Sequence, residues 1–340
     1  VDEMDKMAKE DRSALHEAME QQCYDDETEV LTESGWKLFR DVTADDRVAT
    51  LSPDGRLEYA SPSNFVVSEY DGELYYVKSR QVDLAVTPNH RMYVNLNRRA
   101  DEWEGFRFIR MDEIPIHKRM RFKKNAVWTG ERQETYEIPP VVKFANQNAE
   151  GRLTEPILVR MDDWLEFLGY FLSEGSVQRH SRTGVPYRVI VSQTNPESAE
   201  TIRQCLERLP FNFSYDGKNF AISAKQLAEH LAPFGRCHEK YVPDYAKRLP
   251  PEQIVILLDA LMLGDGYVNK TTGVSIYTTS SKRLADDVTE LLLKKGWSGN
   301  VHLMQEAGTA AANPRGGTTT TTHDIYQVTF IRDGQNEPNI

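Results

Sequence analysis

A chain of 340 residues with 39% hydrophobic content exceeds one ordinary domain and can bury more than one core. It has no apolar run near the roughly 18 to 20 residues that span a bilayer, and Val1 opens an acidic polar stretch, not a signal-like one; no membrane association and a cytoplasmic location are expected. The three cysteines, Cys23, Cys205 and Cys237, are odd in number and far apart, which excludes a disulfide framework and a four-cysteine zinc site. The formal net charge of −11 argues against a nucleic-acid partner, yet nine of those charges lie before Gly35 and the remainder of the chain is close to neutral.

Residues 1–22 are rich in helix formers, with Met4, Met7, Leu15 and Met19 loosely spaced, and read as a helical or disordered flank. From Cys23 the texture turns strand-like. "TEVLT", "RVATLS" and "ELYYVKS" are separated by turn signals at Ser34-Gly35, Pro53-Asp54-Gly55 and Asp71-Gly72, which predicts an all-β unit over about 23–145. Near its end, within 105–128, "IHKRMRFKK" carries Lys118, Arg119, Arg121, Lys123 and Lys124 with no acid, a candidate phosphate-tracking surface. The proline- and glycine-containing stretch Ile138 to Pro156 reads as a domain boundary.

After it, a helix carrying Leu165, Leu168 and Leu172, capped by Asp162 or Asp163, precedes strands "YRVIVSQ" and "KNFAIS" with a helical "PESAETIRQCLERL" between them. The same order begins again at Pro250-Pro251 with a stripe of Ile254, Leu257, Leu258 and Leu261, then strand "GVSIYTTS", helix "KRLADDVTELLLKKGW" and strand "IYQVTFI". This predicts a duplicated α+β domain over 146–340, with repeats at about 160–240 and 250–340, and "AGTAAANPRGGTTTTT" as a surface loop. Each copy's first helix ends in an acid followed by glycine: Glu174-Gly175 and Asp265-Gly266. A carboxylate at a helix C-terminus is repelled by the backbone dipole, so two in matched positions suggest a compensating metal. Gly169 and Ala260, each five residues earlier, are small enough to let the two helices approach closely and bring both acids together. Paired oxygen ligands suit Mg²⁺ or Mn²⁺ in phosphodiester hydrolysis.

"FLGYFLSEGSV" and "ALMLGDGYV" resemble the two motifs of LAGLIDADG homing endonucleases, a likeness covering about Asp162 to Ile340. The resemblance implies two pseudo-symmetric αββαββα repeats in a monomer and double-strand cutting of DNA at a long specific site. It also implies Glu174 and Asp265 as metal ligands, and Gly169 and Ala260 as helix-interface residues. "HEKYVP" is similar to the lysine-and-proline block of intein-borne members, which implies Lys240 as an active-site lysine.

The start of the β unit, "CYDDETEVLTESGW", resembles the first block of an intein, and "TPNHRMYV" the second. The resemblance implies an all-β Hint-type splicing fold in which Cys23 attacks the Gln22 carbonyl in an N-to-S acyl shift, assisted by Thr87 and His90, with no cofactor. Residues 1–22 are then a remnant of the host protein, the extein. The chain ends "GQNEPNI" without the closing histidine and asparagine blocks. A fragment of a longer product, or a split element whose C-terminal intein segment is a separate partner, is expected. Two other readings are a DNA-binding remnant with decayed catalysis and an autoprocessing domain that passes its thioester to another nucleophile.

Overall fold

The computed structural model describes residues 23–64, 66–79, 81–99, 102–143, 151–271, 273–312 and 318–332. The expected host flank 1–22, including Gln22, lies outside them. Two compact units are present. Among the described residues the first holds 23–50 and 58–124, and the second holds 51–57 and 125–332.

The first unit is built from strands and single 3-10 turns. Strands β1 (Glu29–Thr32), β2 (Gly35–Leu38), β3 (Val48–Leu51) and β4 (Leu57–Ala60) form a sheet in the order β2-β1-β3-β4. Thr32 pairs with Gly35 across the first hairpin, where Gly35 takes a φ of 111° that other residues resist. β5 (Tyr75–Lys78) pairs with β6 (Asp83–Val86), and β7 (Arg91–Arg99), β8 (Glu102–Arg110) and β9 (Met120–Phe122) form a sheet in the order β8-β7-β9. Alternation along β7 sends Met92, Val94 and Leu96 inward, where they join Val77, Val86, Met111 and Met120 in a small core. The expected all-β character holds for the described residues of this unit.

The second unit begins earlier than the proline-rich stretch suggests. Trp128 donates its ring N–H to the Leu249 carbonyl at 2.9 Å, and the Gln253 side chain bonds the Gln133 backbone in both directions. β10 (Thr135–Ile138) then pairs with β13 (Ile157–Arg160), enclosing the short pair β11 (Val142–Lys143) and β12 (Arg152–Leu153). The stretch read as a boundary is therefore partly sheet, and the division falls at Asn125 rather than near residue 145.

The duplication follows. The first copy runs α1 (Met161–Glu174), β14 (Gly175–Arg179), β15 (Pro186–Ser192), α2 (Pro196–Glu207), β16 (Phe213–Tyr215), β17 (Asn219–Ile222) and α3 (Lys225–Leu231). A short α4 (Asp244–Lys247) leads to the second copy. That copy runs α5 (Pro251–Asp265), β18 (Gly266–Val268), β19 (Ser275–Thr279), α6 (Lys282–Lys294), β20 (Ser298–Gln305), β21 (Ala310–Ala312), β22 (Thr318–Thr320) and β23 (Ile325–Ile331). The sheets have the same topology, β14-β15-β17-β16 and β18-β19-β23-β20. The closing helix expected of the second repeat lies outside the described residues, the last of which is Arg332. Within the loop expected at 307–322, Ala310–Ala312 and Thr318–Thr320 pair instead as antiparallel strands.

Two further details differ from the sequence reading. Asp162 and Asp163 do not cap α1; the cap position is Arg160, and both acids sit in the first turn, where the helix dipole favours them and Asp163 accepts from Arg208 at 2.7 Å. Asn195 and Ser281 do cap α2 and α6 through their side chains. The core of the unit is centred on α1, whose Trp164, Leu165, Phe167, Leu168 and Phe171 are all fully buried, and on the Ile254, Leu257, Leu258 and Leu261 stripe of α5. Each such side chain contributes about 1.5–3 kcal/mol relative to exposure.

The two helices cross at Gly169. A Cβ there would stand 2.5 Å from the Ala260 Cβ and 3.0 Å from the Leu257 carbonyl oxygen. Gly169→Val is expected to lower the unfolding free energy by about 1–3 kcal/mol or more through overpacking, read by urea denaturation, with partial recovery in Gly169→Val/Ala260→Gly.

Candidate functional site

Each motif helix passes into a strand with no intervening turn. Gly175 and Gly266 have extended backbones and open β14 and β18, so Glu174 and Asp265 are the last residues of their helices. Glycine is required by space: a Cβ at Gly175 would lie 2.5 Å from the Phe171 carbonyl oxygen, and one at Gly266 would lie 2.4 Å from that of Met262. The crossing at Gly169 continues toward the helix ends. There Ser173 donates to the Leu261 carbonyl at 3.1 Å, and a Cβ on Gly264 would come within 3.4 Å of Glu174 Cγ.

The two carboxylates interact electrostatically. Burial, then the negative charge of Glu174, pushes Asp265 up to about 7 against the opposing pull of Lys240. Burial raises Glu174 as well, with Lys240 again opposing. Lys240 is 2% exposed, and its ammonium donates to the carbonyls of Phe171 at 2.8 Å, Gly175 at 2.7 Å and Ser173 at 3.4 Å. It therefore satisfies the terminal carbonyls of α1 and supplies the cation that the helix end and its acid need. Burial lowers Lys240 to about 8, while Asp265 and Glu174 hold its proton on.

One polar group at this site was missed by the sequence reading. Tyr277, on β19 opposite Gly266, is fully buried. Its hydroxyl has no hydrogen bond of normal geometry, although Ser173 is near and both carboxylates act on it electrostatically. The residue opposite Gly175 in the first copy is Val191, so comparing the copies gives no sign of a tyrosine.

The donor set consists of two carboxylates, a hydroxyl and backbone carbonyls, with no histidine or thiolate, and the two carboxylates repel each other. That chemistry fits a hard divalent cation, which takes one or two carboxylates and completes its shell with water and substrate phosphates. No cluster of three or more His, Cys, Asp or Glu is present among the described residues, so Glu174 and Asp265 are the carboxylates that would hold such an ion.

In the first unit, the Cys23 N–H donates to Thr87 Oγ1 at 3.1 Å, and the Thr87 N–H donates to the Cys23 carbonyl at 3.0 Å. His90 lies one turn on, its N–H bonded to the Thr87 carbonyl, and Tyr24 packs edge-on against its ring at 4.3 Å. Thr87 and His90 are buried, and burial raises the half-buried Cys23 thiol. Of the five basic residues read as a DNA-binding run, Lys118 bonds the Asn97 carbonyl and Glu104. Lys124 bonds the Gln81 carbonyl and is held down to about 8 by burial. These two ammonium groups thus serve the fold, whereas Arg119, Arg121 and Lys123 stand against the rings of Trp103 and Phe106.

Residues 165–215 and 252–325 match the model of the LAGLIDADG-like domain, a span containing both acids and both small crossing residues. The chain carries a LAGLIDADG-like domain. Residues 1–25 match the model of the MCM P-loop domain. Among curated proteins, the chain is 32% identical over 291 residues to an ATP-dependent Clp protease proteolytic subunit of Chlamydomonas moewusii, covering 83% of this chain and 28% of that one. It is 28% identical over 360 residues to the C-terminal section of a DNA-directed RNA polymerase β subunit of Stigeoclonium helveticum, covering 94% and 32%. With the replicative DNA helicase DnaB of Synechocystis it shares 36% identity over 174 residues, covering 45% and 20%. The chain thus spans less than a third of the length of these relatives. Similar solved structures include I-DmoI in complex with DNA and calcium, at 14% identity and a TM-score of 0.35, covering 50% of this chain and 83% of that one. The homing endonuclease I-WcaI bound to its DNA recognition sequence matches at 12% identity and a TM-score of 0.30, covering 51% and 77%.

Asp265 gives this site a pH signature. Its carboxyl holds a proton in the folded state up to about pH 7, whereas the unfolded chain releases it near 3.8, so stability falls as pH rises between those values. In EDTA, Asp265→Asn is expected to exceed the parent in stability at pH 8, the gain vanishing toward pH 4. Denaturant titrations across that range measure it.

Proposed function

We propose that the second unit is a divalent-metal-dependent, site-specific double-strand DNA endonuclease of the LAGLIDADG homing type, carried by a self-splicing element whose N-terminal part is the first unit. The observation that carries the nuclease reading is the pair Glu174 and Asp265, brought to one place by the Gly169–Ala260 crossing and mutually repelling. A Mg²⁺ or Mn²⁺ ion bound there supplies an activated water and offsets charge on the leaving oxygen. The protein's part is to hold both carboxylates at fixed helix ends, with Lys240 locking the α1 terminus, and to present the two sheets, whose strands suit a DNA major groove. With both acid motifs in one chain, no second copy is needed to complete the pair.

The splicing reading is supported from two sides. Clp protease, RNA polymerase and DnaB helicase subunits are unlike in name, yet each is matched over only part of its length, as expected of a segment inserted into different hosts. The match of residues 1–25 to the MCM P-loop domain agrees with a host flank that ends at Gln22. In the acyl shift the Cys23 sulfur attacks the Gln22 carbonyl as its proton leaves, the C–N bond breaks, and the freed Cys23 amine is protonated by way of His90, leaving a thioester. Thr87 Oγ1 already accepts from that amide, and His90 is the proton donor to the departing amine, a role that suits imidazole chemistry near neutral pH.

Glu174→Gln and Asp265→Asn are each expected to reduce Mg²⁺-dependent cutting of a plasmid library of long sites by at least about 100-fold while DNA binding persists; full cutting by either variant would refute the metal role. Cys23→Ala is expected to abolish thiol-induced release of residues 1–22, and release persisting in that variant would refute the nucleophile.

A further inference from the structure

The outer face of the β8-β7-β9 sheet carries a feature that neither activity uses. The alternation that buries Met92, Val94 and Leu96 sends Tyr93 to the opposite side, where it meets Phe108 and Phe106 of β8. Ring centroids lie 5.0 Å apart for Tyr93 and Phe108 and 5.5 Å apart for Tyr93 and Phe106. Phe108 is 67% exposed and Tyr93 38%, with Phe106 partly buried beside them, so two of the three packed aromatics lie open on one sheet face. Cations surround them. The Arg121 guanidinium lies 3.5 Å from the centroid of the Trp103 ring, and the Lys123 ammonium lies 5.7 Å from that of Phe106. Arg91 stands directly opposite Arg110 at the far end, where Arg110 is ion-paired with Asp112 and Glu113.

We propose that this face binds single-stranded nucleic acid, with bases stacked on Tyr93, Phe106 and Phe108 and phosphates held by Arg91, Arg121 and Lys123. The occupant must be flat, apolar on its faces and anionic at regular intervals, which describes unstacked nucleotides. Open sheets presenting aromatics among cations are a recurring platform for such strands. A duplex fits less well, because it presents phosphates and base edges and hides the base faces, leaving Phe108 without a partner. Two hydrogen bonds brace the strands that carry these rings. Asn95 Oδ1 accepts the Gly105 N–H at 2.8 Å, and Lys118 ties β9 to β7 through the Asn97 carbonyl. This inference goes beyond the proposed nuclease and stands independently of it.

The test is fluorescence anisotropy of the full chain in EDTA with labelled (dT)20 and, separately, a 20-base-pair duplex. The parent is expected to bind (dT)20, and Tyr93→Ala/Phe108→Ala to weaken it on the order of 10- to 100-fold with duplex binding retained. Tyr93→Leu/Phe108→Leu keeps the apolar bulk but removes the rings and is expected to lose (dT)20 binding equally, which separates stacking from misfolding. No binding of (dT)20 by the parent, unchanged binding by both variants, or equal loss of duplex binding would overturn the proposal. Absence of DNA cleavage with (dT)20 binding intact would refute the nuclease reading alone.

Discussion

The structure of the second unit depends on a single absence, the missing side chain at Gly169. Because a Cβ there would fall within 2.5 Å of Ala260 Cβ, the backbones of α1 and α5 approach more closely than two ordinary apolar helices allow. Everything at the site descends from that approach. The helices run on to end side by side, their last residues are acids, and the glycines that follow turn each helix straight into the first strand of its sheet. Core burial around Trp164, Phe167 and Leu257 fixes the crossing against the repulsion it creates.

That repulsion is the cost of the arrangement. Two carboxylates meet at the negative ends of two dipoles, and one of them, Asp265, is raised to about 7. Lys240 relieves part of the strain by bonding the terminal carbonyls of α1. The relief is unequal, since Lys240 bonds the end of α1 whereas its effect on Asp265 is electrostatic. A site left short of positive charge suits a divalent ion, which is how the proposed function ties the packing of a glycine to phosphodiester hydrolysis.

Much of this was legible in the sequence because the relevant signals are local. The apolar stripes of α1 and α5, Pro251 at a helix start, the strand texture of β15, β19 and β23 and the acid-glycine pairs are each written in a few adjacent residues. The small residues five positions before each acid carried the helix crossing. What could not be read depends on long-range packing. Tyr277 reaches the acids from another strand and has Val191 as its counterpart, and the role of Lys240 as a cap on α1 joins residues far apart in the chain. The stretch from 138 to 156 looked like a domain boundary because proline, asparagine and glycine are turn residues. Its strands are short, and tertiary pairing of β10 with β13 decides their state. The basic run concealed two different environments, since sequence cannot tell that Lys124 faces inward while Arg121 lies on Trp103.

The central claim is that Glu174 and Asp265 share one divalent cation. Mn²⁺ binding to the full chain at pH 8, followed by electron paramagnetic resonance, tests it in a double-mutant cycle of Glu174→Gln and Asp265→Asn. If the ion is shared, each single substitution removes most of the tightest binding and the double removes little more, a strongly non-additive result. Independent, additive losses, or tight binding unchanged in both single variants, would contradict the account.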